Sequence, residues 1–292
     1  MEMKEAMLYQ KLPEDNVQCH VCSHRCVIRD GRRGICGVRE NRKGTLYVLN
    51  DGKTIAAGID PIEKKPLYHF LPGTLIYSFA SAGCNFRCAW CQNFEIAQGP
   101  KPYEPVEGVE VLPREHVERA LENGCPAIAY TYSEPTIFLE YALATMKLAH
   151  AKGLKNVWVT NGFMTRETLE VILPYLDAAN VDFKGPDDGM YEKYCGGSAR
   201  PVMENLRYLV ENGVHVEVTT LLVPGINDKA DQIEEVARFI AEELGQDIPW
   251  HISRFFPAWK LMDTPVTPLK TLMLAKGIGE KAHLTRIHLG NV

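Results

Sequence analysis

From residue 75 onward, apolar runs of strand length alternate with amphipathic stretches of helical period. Leu75-Ile76-Tyr77-Ser78-Phe79-Ala80 is almost continuously apolar, the pattern of a strand covered on both faces. Further strands are predicted at 127–132, 156–160, 178–183, 214–223 and 251–255, with a short last one at 284–289. Between them the period lengthens, and helices are predicted at 136–152, 165–175, 188–195, 200–212, 229–244 and 268–282. Strand–helix alternation on this scale implies a parallel sheet with helices outside it. The count is about six or seven units. Periodicity alone does not separate a partial barrel from a closed eight-fold barrel or an open doubly wound sheet.

The first 74 residues break this rhythm. Residues 46–49 followed by Asp51-Gly52 read as a strand and turn, forming a hairpin with 54–57. Pro61, Pro66 and Pro72 punctuate 60–73, which is expected to run extended over the surface or mouth of the α/β domain. Its Lys64, Lys65, Tyr68 and His69 make it either the lining of a substrate entrance or a packed linker. The expected organisation is a cysteine-bearing segment at 1–50, a connector at 51–74 and the α/β domain at 75–292.

Seven of the nine cysteines fall in two groups, while Cys125 and Cys195 stand alone. Cys84-x3-Cys88-x2-Cys91 follows the first predicted strand and has no fourth thiol near it. Three thiolates can hold a [4Fe–4S] cluster with one iron left open, whereas structural zinc wants four protein ligands. Cys19-x2-Cys22-x3-Cys26-x9-Cys36 is a closed set of four. It suits either zinc or a fully ligated auxiliary iron–sulfur cluster, and ligand type does not choose between them. His20 and His24 are substitute ligands only if a thiol is lost, and otherwise surface histidines. Alternation puts Asp182 and Lys184 on one strand face, where burial would require them to pair.

A net charge of −5 gives no bulk argument for nucleic acid or an anionic membrane. No apolar run approaches the roughly twenty residues of a membrane span. The first residues, Met1-Glu2-Met3-Lys4-Glu5, lack the regions of a signal peptide. A cytoplasmic location follows as an expectation, and there clustered cysteines point to metal sites before disulfides.

The Cys84, Cys88 and Cys91 spacing, with Trp90 before the last thiol, resembles the signature of the radical S-adenosylmethionine (SAM) superfamily. The resemblance implies a partial (β/α)6 barrel and a [4Fe–4S] cluster whose open iron chelates the amino and carboxylate groups of SAM. Reductive cleavage of SAM would then give a 5'-deoxyadenosyl radical. Trp90 would pack near the adenine. Glu134-Pro135 stands where the family has Gly-Gly-Glu-Pro, with Tyr132 and Ser133 replacing the glycines, and implies Glu134 as a partner of the SAM ammonium. Val159-Thr160-Asn161-Gly162 resembles the Asp-Thr-Asn-Gly of glycyl-radical activating enzymes, with Val159 replacing the cation-binding aspartate and Asn161 left as a polar contact. Asp182-x-Lys184 and His251 likewise correspond to SAM-site residues of those enzymes. Val223-Pro224-Gly225-Ile226-Asn227-Asp228 resembles a turn that flanks the adenine in the family, and Arg254 is a candidate for a substrate anion.

Over nearly the whole chain the sequence is similar to the radical SAM member of the AmmeMemoRadiSam system, and more distantly to pyruvate formate-lyase activating enzymes. The first likeness rests on the leading cysteines, Asp60-Pro61-Ile62-Glu63-Lys64-Lys65-Pro66-Leu67-Tyr68-His69-Phe70 and the final Leu289-Gly290-Asn291-Val292. It implies hydrogen abstraction from a glycine of a partner protein or from a small molecule. It also implies an electron donor such as ferredoxin or flavodoxin, and Memo-like and AMMECR1-domain partners. The alternative is an iron–sulfur electron carrier or scaffold without SAM chemistry.

Overall fold

The computed structural model describes residues 3–292; Met1 and Glu2, the start of the segment read for a signal peptide, lie outside the described residues. Its centre is one eight-stranded sheet whose spatial order follows the chain. The strands are β1 (Ala56–Pro61), β2 (Leu75–Ala80), β3 (Ala127–Tyr130), β4 (Lys155–Thr160), β5 (Ala178–Asp182), β6 (His215–Leu222), β7 (Trp250–Arg254) and β8 (Ile287–Gly290). All neighbours from β2 to β8 are parallel, and β1 lies antiparallel on β2 with Ala56 opposite Ala80. The sheet ends at β1 and β8 without closing between them. This resolves the alternatives left by periodicity: the architecture is a partial barrel, not a closed eight-fold one.

The main helices are α1 (Pro113–Glu122), α2 (Leu139–Ala151), α3 (Arg166–Ile172), α4 (Asp188–Cys195), α5 (Arg200–Glu211), α6 (Ala230–Phe239) and α7 (Leu269–Lys281). The inner strands β2 to β7 are mostly buried while the edge strands β1 and β8 are not, and the core packs between sheet and helices. The helix predicted at 136–152 begins as a 3-10 turn over Pro135–Phe138, because the Glu134 side chain caps the Thr136 N–H and Pro135 has no N–H to offer.

The predicted hairpin of 46–49 with 54–57 does not form. Thr45–Val48 pairs with Arg39–Arg42 and with Lys4–Glu5. The two-residue turn Lys43-Gly44, with both φ positive, matches strand twist and closes the first of these pairs. Lys53–Thr54 instead pairs with Val109–Glu110, and the expected connector supplies β1 to the barrel sheet.

The N-terminal segment clamps onto the barrel at the starts of α2 and α3. Arg39 is buried and holds Glu140 of α2 through Nη1–Oε1 at 2.9 Å and Nη2–Oε2 at 2.6 Å. Arg25 binds Glu167 of α3 at 2.8 and 2.9 Å. His24 Nε2–H donates to the Asn85 carbonyl at 2.8 Å, so this histidine is a structural contact to the loop after β2.

Beyond β1 the chain crosses the lower part of the barrel. Glu217, fully buried on β6, accepts the backbone N–H groups of Tyr68 at 3.0 Å and His69 at 2.8 Å. It also pairs with His251 at 2.6 Å and His215 at 3.0 Å. Burial raises the Glu217 pKa, but these four hydrogen bonds outweigh it and hold the carboxyl well below the usual carboxylate range. A depressed folded-state pKa contributes stability that is complete above the unfolded value of about 4.3 and is lost as pH falls below it. Wild-type stability measured by urea unfolding should therefore fall between about pH 5 and 3. Glu217→Gln should cost about 2–4 kcal/mol at pH 7 and flatten that pH dependence.

Candidate active site

A cavity of about 350 Å³ opens at the carboxyl ends of the parallel strands, where α/β folds place their ligand sites. Its floor is the loop after β2, carrying Cys84, Cys88, Trp90 and Cys91. Its walls are Thr131–Glu134 after β3, Val159–Asn161 at the end of β4, Asp182 and Lys184 after β5, Thr219 and Leu221 of β6, Ser253 of β7 and Asn291 after β8. Lys64 and Lys65 close one side.

Glu134 organises the strand ends. Its carboxylate accepts Thr136 N at 3.1 Å, Thr136 Oγ1 at 2.5 Å, Thr160 Oγ1 at 2.7 Å and Asn161 N at 2.8 Å. Burial nevertheless raises its pKa above the usual range. Asn161 Nδ2 donates to Asn85 Oδ1 at 2.7 Å, which ties the β4 end to the cysteine loop. Lys184 is buried with Asp182 at 3.5 Å. Burial lowers the Lys184 pKa, but Asp182, Cys88, Tyr191 and Cys195 more than reverse it, so the ammonium stays charged.

The cysteine loop is gripped from two sides. Arg87 N donates to the Cys195 carbonyl at 2.7 Å and Ala89 N to the Tyr194 carbonyl at 2.8 Å, so the end of α4 flanks Cys88. The Cys195 and Cys88 side chains are neighbours, and their interaction holds Cys88 below the usual thiol range while it and burial drive Cys195 up. On the other side Gly83, at φ +108°, meets the N-terminal segment so closely that a Cβ would stand 2.9 Å from the Cys36 carbonyl. Arg87 bonds the Ile35, Cys84 and Phe86 carbonyls and bridges the two cysteine groups.

Phe86 N–H donates to the Cys84 sulfur at 3.3 Å, and the buried Asn85 Nδ2 beside it has no partner. Three thiols on one cavity floor, with a backbone donor already aimed at a sulfur, fit a three-thiolate cluster. Among the described residues no group of three or more His, Cys, Asp or Glu meets at one point as a single ion requires. A cluster engages each thiolate through a different iron and does not need such convergence. Cys19, Cys22, Cys26 and Cys36 line one small apolar cavity with Arg39 and Ile137. Burial pushes Cys19 up to about 11 and Cys22 well above the usual range, which a bound cation would reverse.

Of the residues singled out in the sequence, Trp90, Glu134, Asn161, Asp182 and Lys184 share this cavity with Cys84, Cys88 and Cys91. His251 is not on its wall: it lies two residues before Ser253 and turns down to Glu217. Arg254 is likewise absent from the wall, and its Nε donates to the Thr267 carbonyl at 2.8 Å. Thr219 and Ser253 join the wall with no signal but position toward a strand end, and Thr160 and Asn291, noted in the sequence only within longer motifs, join it too.

Residues 79–240 match the model of the Radical SAM superfamily, and the chain belongs to that superfamily, whose members use a [4Fe–4S] cluster and SAM. It is 44% identical over 290 residues to the uncharacterized protein MJ0808 of Methanocaldococcus jannaschii, covering 99% of this chain and 86% of that one. It is 25% identical over 190 residues to the pyruvate formate-lyase 1-activating enzyme of Escherichia coli, covering 62% of this chain and 75% of that one. Streptococcus suis SuiB bound to S-adenosylmethionine shares the fold at a TM-score of 0.54 and 13% identity, over 72% of this chain and 48% of that one. A radical SAM methyltransferase from Sphaerobacter thermophilus does so at 0.56 and 16%, over 75% and 67%. No helix among the described residues is long and apolar enough to cross a membrane.

Cys195 and Cys125 stand outside the three-thiol set. Alanine at either position should leave iron content after reconstitution unchanged by colorimetric assay; loss of iron in either variant would revise the ligand set.

Proposed function

We propose that the chain is an activating-enzyme-like radical SAM oxidoreductase with its reaction centre in the strand-end cavity. The observation that carries this is the joining of Cys84, Cys88 and Cys91 with Trp90, Glu134, Asn161, Asp182 and Lys184 around one cavity. Cys84, Cys88 and Cys91 would hold the cluster. With SAM bound and one electron from an external donor, the cluster would supply radical hydrogen-abstraction chemistry there. Glu134 faces the SAM ammonium, its own geometry held by Thr136, Thr160 and Asn161. Lys184 stays cationic for the SAM carboxylate, oriented by Asp182. Trp90 offers an apolar face to the adenine. His251 acts from below, by fixing Glu217 and the chain over it, and is withdrawn from the set of direct SAM contacts.

The hydrogen donor is a glycine of a partner protein or a small molecule. The likeness to a glycyl-radical activating enzyme supports the first, and the long motif at 60–70 supports membership of the AmmeMemoRadiSam group, with Memo-like and AMMECR1-domain partners. A ferredoxin or flavodoxin would supply the electron. Cys19, Cys22, Cys26 and Cys36 line one cavity without meeting at a single point, so they would hold an auxiliary iron–sulfur cluster as they stand, or zinc if the thiols draw together; metal analysis after anaerobic purification distinguishes the two.

SAM titration of the anaerobically reconstituted protein by calorimetry tests the reading. Wild type should bind one SAM, and Glu134→Ala should bind about tenfold or more weakly, the effect of losing one charged hydrogen bond. A cluster-loaded protein that binds no SAM would instead be the electron carrier or scaffold.

A further inference from the structure

Tyr132 adopts φ +61°, a left-handed conformation that a residue with a large side chain occupies at a cost of about 1–2 kcal/mol. Asn93 Nδ2 holds its carbonyl at 2.8 Å, and the ring is directed to the side of the cavity closed by Lys64 and Lys65. There the Tyr132 hydroxyl donates to Asp60 Oδ2 at 3.1 Å and accepts from Lys65 Nζ at 3.3 Å. The Lys65 ammonium also lies 4.5 Å from the centre of the tyrosine ring. Asp60 is shared: Oδ1 takes Lys64 Nζ and Oδ2 takes Lys65 Nζ, each at 3.1 Å.

Two ammonium groups on one carboxylate leave an excess positive charge beside the cavity. Lys64 is two-thirds exposed and water solvates it, but the Lys65 side chain is only 4% exposed. Lys65 makes two of its three hydrogen bonds, to Asp60 and Tyr132, and no third is formed among the described residues. The other acids of the wall are engaged, Asp182 with Lys184 and Glu134 with its four donors. Burial outweighs Asp60 and lowers the Lys65 pKa, the sign of a cation short of negative charge. A backbone strained to complete such a group is stored where it serves a site.

We propose that Lys65, positioned by Asp60 and Tyr132, recognises an anionic group, a carboxylate or a phosphate, on the second substrate of the cavity. This rests on reading the cavity as a SAM site: the cysteine floor and Glu134 take SAM, and the wall of Lys64 and Lys65 faces what enters beside it. Such a ligand meets a charge-assisted hydrogen bond from Lys65, with Lys64 adding attraction from solvent. Tyr132 keeps the Lys65 ammonium from collapsing wholly onto Asp60.

The test uses the reconstituted, SAM-saturated protein and two probes, inorganic phosphate and acetate, titrated by calorimetry at low ionic strength. Wild type should bind one anion saturably, phosphate tighter for a phosphorylated substrate and acetate tighter for a carboxylic acid. Lys65→Met should weaken binding about tenfold, Tyr132→Phe severalfold, and Lys64→Met less than Lys65→Met, with SAM affinity and iron content unchanged in all three. If SAM binds but neither anion does, or if Lys65→Met binds the anion as wild type, the proposal fails and the SAM site stands. If SAM itself does not bind, the underlying reading of the cavity fails. Should Lys65→Met not fold, Tyr132→Phe decides alone, because it removes only a hydroxyl.

Discussion

The cavity depends on one buried carboxylate. Glu134 sits at the end of β3, yet most of its hydrogen bonds reach its own helix turn and the end of β4, so it fixes two strand ends and a helix start at once. Asn161 passes that order to Asn85 and so to the cysteine loop. Four donors stabilise the charge that burial opposes, and a carboxylate held this way needs no counter-ion from the protein. It remains on the cavity wall.

The cysteine loop itself has little regular structure and is shaped from outside. The end of α4 pairs with its backbone around Cys88, and the N-terminal segment presses on Gly83 and is bridged to the loop by Arg87. The buried Arg39–Glu140 pair keeps that segment in place. Removing one partner would leave a buried charge alone, whereas the intact pair locks one docking geometry. The N-terminal cysteine segment is therefore packed against the barrel cysteine loop rather than being a remote appendage.

Much of this was legible in the sequence because it follows from period and spacing. Apolar runs such as 75–80 and 127–130 have few alternatives to buried parallel strands, and three cysteines in eight residues dictate a shared loop. The Asp182–Lys184 pair followed from strand alternation, although only the lysine is buried and Asp182 is half-exposed. What was not legible is set by register and by distant partners. Whether His251 or Ser253 reaches the cavity depends on how far β7 rises beside β6, and Glu217 captures the histidine from a strand 34 residues away. The short N-terminal strands choose partners through a two-residue turn and long-range contacts, so 46–49 pairs backward with 39–42 instead of forward. Cys195 looked isolated because its neighbour, Cys88, is brought to it only by the fold.

The central claim is that three cysteines of the strand-end cavity support SAM cleavage. Its most direct test is anaerobic reconstitution, reduction with dithionite and chromatographic detection of 5'-deoxyadenosine from added SAM, comparing wild type with Cys88→Ala. Formation of 5'-deoxyadenosine by wild type and its loss in Cys88→Ala is the predicted result. Equal product from both proteins, or none from a wild type that carries its cluster and binds SAM, would contradict the account.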